Sequence, residues 1–529
     1  LTLNFGDLLE SVAQVVPERQ AIIYADKRYT WAEFDTQANR LARNLIELGL
    51  MPNSKVAFYL RNSPAYVVLL AACFKARLVH VNVNYRYVDQ ELHYVIDNAD
   101  AELVVFDQEF AGQIDQLAPR LPKVKAFLAV GPAEDSVRAL SFERLCLQGE
   151  GAPVTLARSG DDLYFMYTGG TTGYPKAVMW PHKSRIAVIG MAAAETAAAH
   201  ARAVAGSARF PVTLPVCPMM HSTGFTTVLS ALCAGGCVVL MPGSRFDAHA
   251  CLAAIGAHKV TTVVLVGDAF SVPMIEALVE SADRYDLSSV TTLSSAGAMW
   301  SAKSKAQLLK YFYNAIARDS LGSSEGSRLA GSEMRAGESG QTGRFKLGPD
   351  VKVFTEDHLE VQPGSGQAGL LATSGPIPLG YYKDDKRTAE TFPIINGVRY
   401  SMPGDWCTLE SDGTINLLGR GSHCINTGGE KVYPEEVEEA LKSHARVLDC
   451  AVFGVADERW GHAVNAVVQL RAPAEVSESD LYDHLRGQLA AYKRPKTIVC
   501  VQDSFRAENG KMDYNQAKYL FNVNLRQAD

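Results

Sequence analysis

Basic excess, paired cysteines and long apolar runs are what this chain has little of. It sets 51 Lys and Arg against 58 Asp and Glu, a formal charge of −7 over 529 residues. With no basic footprint, nucleic acid is excluded as a main partner. A locally positive pocket for an anionic nucleotide is not excluded. The ten cysteines are scattered with no Cys-x-x-Cys pair, and no histidine cluster joins Cys233 and Cys237 into a zinc set. They read as reduced, packed thiols of a cytosolic enzyme. The first twenty residues lack a basic stretch followed by an apolar one, so no signal peptide is expected and the protein reads as cytoplasmic. The longest apolar stretch, 225–242, is shorter than the ~20 residues of a spanning helix and is broken by Gly235 and Gly236. A buried helix followed by a buried strand explains it, and no membrane span is expected.

What is present is ordinary globular composition, 47% apolar and 21% charged, which rules out a disordered or fibrous chain. Length alone suggests roughly three or four structural units at ~150 residues each. The opening alternates helix and strand: a helix over 31–48 closed by Gly49, a strand over 55–60, a helix over 65–76, a strand over 79–83. Such alternation predicts parallel sheets covered by helices. From 345 to 418 the segments shorten between Gly, Pro and Asp, which predicts a small β-rich subdomain. A polar, glycine-containing joint at 420–424 follows, then a compact α/β segment over 425–529. The expected fold class is therefore α/β: a large multi-lobed N-terminal domain, 1–419, and a small mobile α+β C-terminal domain.

The strongest local signal runs from Tyr167 to Lys176, directly after an apolar strand over 162–167. Gly169, Gly170 and Gly173 let backbone N–H groups turn inward, Thr168, Thr171 and Thr172 donate hydroxyls, and Lys176 supplies charge. Those are the parts of a phosphate cradle. The spacing is not that of a Walker A loop, because Ala177 follows the lysine.

This segment resembles the phosphate loop of the adenylate-forming superfamily, which comprises acyl-CoA synthetases, carrier-protein adenylation domains and luciferases. Gly170 stands where the family usually has Ser, and Ala177 where it has Gly. The Thr-Gly-Gly-Thr-Thr-Gly form looks like acyl-CoA synthetases of the fatty-acid and steroid-degradation type. The other family motifs occur in order and the likeness runs end to end. Pro218 to Phe225 resembles the motif whose aromatic or His gates the acyl pocket, which makes His221 the candidate gate. The Asp with which amino-acid-activating relatives hold an ammonium is missing there, so a plain carboxylic acid is implied. Asp319 to Glu325 resembles the Y-G-x-T-E motif. Glu325 would hold Mg²⁺, Ser324 would touch the nucleotide, Leu321 would cover adenine in place of an aromatic, and Asp319 would meet its edge. Asp405 resembles the carboxylate that accepts both ribose hydroxyls. Arg420 would contact ribose or phosphate at the hinge, where Gly421, Ser422 and His423 replace the usual acidic or lysine residues. Lys511 resembles the C-terminal catalytic lysine.

The resemblance implies a two-step ligase using ATP, Mg²⁺ and CoA. It would join a small-molecule carboxylic acid, medium- or long-chain, branched or polycyclic, to CoA, with a homodimer as the expected assembly. Lys511, Lys176 and Mg²⁺ on Glu325 would carry adenylation. His221, Thr223, Gly224, Phe225, Ala296, Gly297 and Gly322 would line the acyl pocket, the small residues among them leaving room. The same motifs serve an enzyme that loads a carrier protein.

Overall fold

The computed structural model describes residues 3–132, 139–170, 173–191, 193–243, 245–298, 300–420, 425–432, 434–470, 477–505 and 514–528. The chain divides into two compact units. The larger comprises Leu1–Tyr85, Ile96–Tyr167 and Ala177–Gly419; the smaller comprises Arg86–Val95, Thr168–Lys176 and Arg420–Asp529.

Two large sheets and the short hairpin Ile394–Ile395/Val398–Arg399 lie in the larger unit. An eight-stranded sheet is built on parallel pairing of Lys55–Tyr59 with Val79–Asn82 and with Ala101–Asp107. Leu163–Gly170 joins it through Val81 and Phe165, and Gly380–Tyr381 closes one edge against Gly173–Pro181. The helices between these strands follow from local sequence. Trp31–Glu47 starts on a capping box of Thr30 and Glu33, and its apolar face buries Trp31, Phe34, Leu41 and Leu45. Pro64–Lys75 starts on Ser63, with proline at the first helical position. It is apolar all round and is buried accordingly.

The second sheet has thirteen strands. Apart from the antiparallel edge strand Lys27–Thr30, its first half is parallel, with Thr213 beside Thr262, Val263 beside Leu293 and Ser295 beside Asp319. At Ile316–Ser323 the chain reverses, and an antiparallel run continues through Ser327–Met334, Arg344–Leu347 and Thr414–Arg420 to Asp405–Leu409, Ala368–Thr373 and Val351–Phe354. Phe345, Val353, Leu371 and Ile415 of the 345–418 segment share a core with Leu329 and Ala330, and the segment's ladder continues that of the parallel strands. The apolar run 225–242 resolves into the helix Ser222–Cys233 and the strand Cys237–Leu240, turned by Gly235 at φ +65°.

In the smaller unit, Val447–Asp457 pairs antiparallel with Gly461–Leu470, which pairs parallel with Thr497–Val501. One cluster around Val437, Leu441, Leu481 and Leu485 and another around Phe453, Phe505, Ala517 and Phe521 are both buried. This is an α+β arrangement. Among the described residues no helix is long and apolar enough to cross a membrane.

Candidate active site

The turn that carries Glu325 joins the strands Ile316–Ser323 and Ser327–Met334. Inside it, the Gly326 N–H donates to the Ser323 hydroxyl at 2.9 Å. Three side chains from elsewhere hold it. Trp180 Nε1 donates to the Ser324 carbonyl at 2.8 Å, Ser401 Oγ to the Glu325 carbonyl at 2.8 Å, and Tyr381 Oη to Glu325 Oε1 at 2.9 Å. Trp180 and Tyr381 arrive together, because their strands pair at the edge of the eight-stranded sheet. Glu325 is only 7% exposed, and among the described residues no lysine or arginine pairs with it. A carboxylate so buried calls for a positive partner. An oxygen donor of this kind fits a hard divalent cation.

Asp319 lies on the strand before that turn, with its carboxylate against Lys305 Nζ at 2.7 Å. Burial raises its ionisation above the ordinary range and Lys305 pulls it back. Leu321 is half-buried and packs on the core of the antiparallel half. Asp405 opens its strand, buried, directly after Gly404 at φ +95°. Arg420 is the last residue of the strand Thr414–Arg420.

On the acyl side, His221 occupies the N-cap of the helix Ser222–Cys233. Thr223 Oγ1 donates to the Ala296 carbonyl at 3.5 Å, and a Cβ on Gly297 would lie 3.5 Å from that hydroxyl. Thr223, Ala296 and Gly297 are therefore together. The next two residues are tightly packed. A Cβ on Gly224 would stand 2.4 Å from the Pro218 carbonyl, so this glycine lets two backbones approach. Phe225 is in the core, its ring 4.8 Å from His80 and 4.9 Å from Tyr164. Gly322 faces Arg328 across the hairpin. Asp268, near in sequence to this group, accepts from the Ser301 N–H at 3.1 Å and from the Ser304 hydroxyl, which ties two helix starts together.

Sequence reasoning missed the residue that joins the two loops. Asn82, buried at the end of its strand, accepts from Tyr167 N at 2.5 Å and donates to the carbonyls of Tyr167, at 3.0 Å, and Met220, at 2.7 Å. Tyr167 and Met220 immediately precede Thr168 and His221. Nothing in the spacing announces an asparagine 85 and 138 residues away from its partners. Tyr381, Trp180, Ser401 and Lys305 were missed for the same reason.

In the phosphate-loop segment the strand extends through Thr168, Gly169 and Gly170, and the next begins at Gly173 and carries Lys176, which is half-buried. Tyr174 stacks on Tyr94 with ring centroids 4.3 Å apart. Thr171, Thr172, the joint 421–424 and Lys511 lie outside the described residues.

Comparison with known proteins decides the family. A family model described as AMP-binding enzyme matches residues 9–382, and its C-terminal domain model matches 436–511. The chain belongs to the AMP-binding enzyme family. Within this adenylate-forming superfamily it is an acyl-CoA synthetase, a ligase that uses ATP and CoA. A medium/long-chain-fatty-acid–CoA/3-oxocholest-4-en-26-oate–CoA ligase of Mycobacterium tuberculosis is 41% identical, over 98% of this chain and 96% of its own length. A 3-oxocholest-4-en-26-oate–CoA ligase of Rhodococcus rhodochrous is 38% identical, over 100% and 97%. The amide bond synthetase McbA of Marinactinospora thermotolerans has the same fold, with TM-score 0.81 and 22% identity over 98% of this chain and 99% of its own.

Proposed function

We propose that this synthetase activates an apolar carboxylic acid, medium- or long-chain, branched or polycyclic, as its acyl-adenylate and transfers the acyl group to CoA. The observation that carries this reading is the 41% identity, over nearly the whole length, to a relative named for fatty-acid and steroid-acid ligation. The lack of an aspartate between Pro218 and Phe225 supports an acid without an ammonium group.

In the first step a substrate carboxylate oxygen attacks the α-phosphorus of ATP, and the bond to pyrophosphate breaks. Charge gathers on the phosphate oxygens, so fixed donors and cations lower the barrier. Lys511, Lys176 and the backbone of 168–173 would supply them. Asp405 would accept the ribose hydroxyls, Arg420 would contact ribose or phosphate, and Asp319, Leu321 and Ser324 would surround the base. Glu325 would hold Mg²⁺, which supplies charge neutralisation on the phosphates. The acyl-adenylate is a mixed anhydride, so the buried surroundings of Glu325 and Asp405 serve to exclude water. In the second step the CoA thiol attacks the acyl carbon and AMP leaves. A turn of the C-terminal domain about 420–424 would remove Lys511 between the two steps.

The test is CoA-thioester formation across short, long, aromatic and polycyclic acids, with carboxylate-dependent ATP–pyrophosphate exchange measured in parallel. The reading expects thioester with free CoA and preference for the long or polycyclic acids. Exchange without thioester would point to carrier-protein loading instead.

A further inference from the structure

Glu325 has two carboxylate oxygens, and among the described residues one of them, Oε1, has a side-chain donor. Tyr381 Oη donates to Oε1 at 2.9 Å, and the two side chains are 6% and 7% exposed. The phenol is itself held. Its ring packs edge-on against Phe392 at 5.9 Å, and its N–H donates to the Thr388 hydroxyl at 2.9 Å. Gly380 precedes it at φ +145°, where a Cβ would stand 2.4 Å from Thr388, so the backbone around Tyr381 has little freedom. The peptide groups on both sides of Glu325 are fixed by Trp180 and Ser401.

We infer that Tyr381 is a positioning residue that occupies Oε1 of Glu325 and so makes this carboxylate a one-oxygen ligand for the divalent cation. The inference rests on the reading that Glu325 holds the cation. A single presented oxygen suits Mg²⁺, which demands near-octahedral geometry and takes only one or two carboxylates beside phosphate and water. A carboxylate free to offer both oxygens suits Ca²⁺, which accepts bidentate ligands. Tyr381 therefore contributes selectivity as well as affinity.

The experiment titrates metal and ATP onto the full chain with no carboxylic acid present, so that nothing turns over, and reads binding by calorimetry. Tyr381→Phe keeps the ring and removes the hydroxyl. We expect its affinity for Mg²⁺·ATP to fall by about tenfold, the low end of what a residue supporting a metal ligand contributes. Affinity for ATP in EDTA should stay within about twofold, and the Mg²⁺-over-Ca²⁺ preference should narrow. Glu325→Gln tests the underlying reading separately, since it should abolish the gain in ATP affinity that Mg²⁺ brings. If Glu325→Gln leaves that gain intact, Glu325 is not the cation ligand and both readings fail. If Glu325→Gln removes it while Tyr381→Phe binds Mg²⁺·ATP and Ca²⁺·ATP like the wild type, the positioning role alone is overturned. Should Tyr381→Phe fail to fold, Thr388→Val, which removes the acceptor of the Tyr381 N–H, carries the same measurement. It leaves the phenol in place but loosens it, and must lower Mg²⁺·ATP affinity while sparing ATP alone. Wild-type Mg²⁺·ATP binding in that variant would overturn the proposal.

Discussion

Lys305 Nζ lies 2.7 Å from Asp319 Oδ2, with both side chains only 5% exposed. The lysine comes from the helix Ala302–Tyr311 and the aspartate from the strand that leads to Glu325. The pair joins that helix to the strand while holding the carboxylate nominated for the adenine edge.

Lys305→Met should cost about 3–5 kcal/mol, because it strands a buried charge, and adding Asp319→Leu should recover most of it. Chemical denaturation of the two variants measures this. The sign with pH is fixed. A carboxyl whose ionisation is raised in the folded state contributes stability at low pH and loses it as pH rises. Removing Lys305 raises it further, so the deficit of Lys305→Met should shrink on acidification.

His80 and His182 are fully buried, and burial lowers each to about 3. An unfolded histidine titrates near ~6.5. Groups depressed in this way contribute stability above that value and lose it as pH falls toward the folded value. Urea unfolding should therefore show stability declining below pH ~6.5, by up to about 1.4 kcal/mol per pH unit for each histidine. Replacing His182 with Gln should make the decline shallower.

Two glycines near the acyl side should behave differently. Gly224→Ala forces a Cβ to 2.4 Å from Pro218 O and should cost about 1–3 kcal/mol, lowering the melting temperature. Gly297→Ala meets only ordinary contacts, 3.5 Å from Thr223, although its φ of +95° adds strain. Its Cβ enters the space beside Thr223, so kcat/KM across acids should shift away from the bulkiest. Equal selectivity in both variants would show that Gly297 does not face the acyl group.

Asn82→Ala removes three hydrogen bonds at once, to Tyr167 and Met220. Buried groups left unpaired cost about 1–3 kcal/mol each. Both loops should loosen, so KM for ATP and for the acid should rise together, which steady-state kinetics with each substrate varied can read.

Lys511→Ala should slow adenylation by about a hundredfold or more, the usual loss for one well-placed charge. Thioester formation from supplied acyl-adenylate should change far less. Single-turnover rates for the two half-reactions separate these outcomes, and wild-type adenylation would remove Lys511 from its assigned role.

Much of this was readable from residues in order along the chain. The alternation of helix and strand appears because each element needs its own apolar period, and local caps such as Thr30 with Glu33 or Ser63 before Pro64 sit within a few residues of what they stabilise. The family likeness was readable too, since motifs are contiguous. The antiparallel continuation of the thirteen-stranded sheet was not. Short segments between turns announce strands but not the neighbour each one pairs with.

The sequence by itself determined the α/β class, the adenylate-forming motifs and hence the chemistry, because these depend on neighbours in the chain. Only the tertiary structure decided which side chains support that chemistry. Tyr381 reaches Glu325 across 56 residues and Trp180 reaches Ser324 across 144. Gly224 and Phe225, which look like pocket residues in their motif, are set by the Pro218 carbonyl and by the rings of His80 and Tyr164. Hydrogen bonding and close packing act over a few ångströms in space, and a linear chain does not record which distant residues will come within that range.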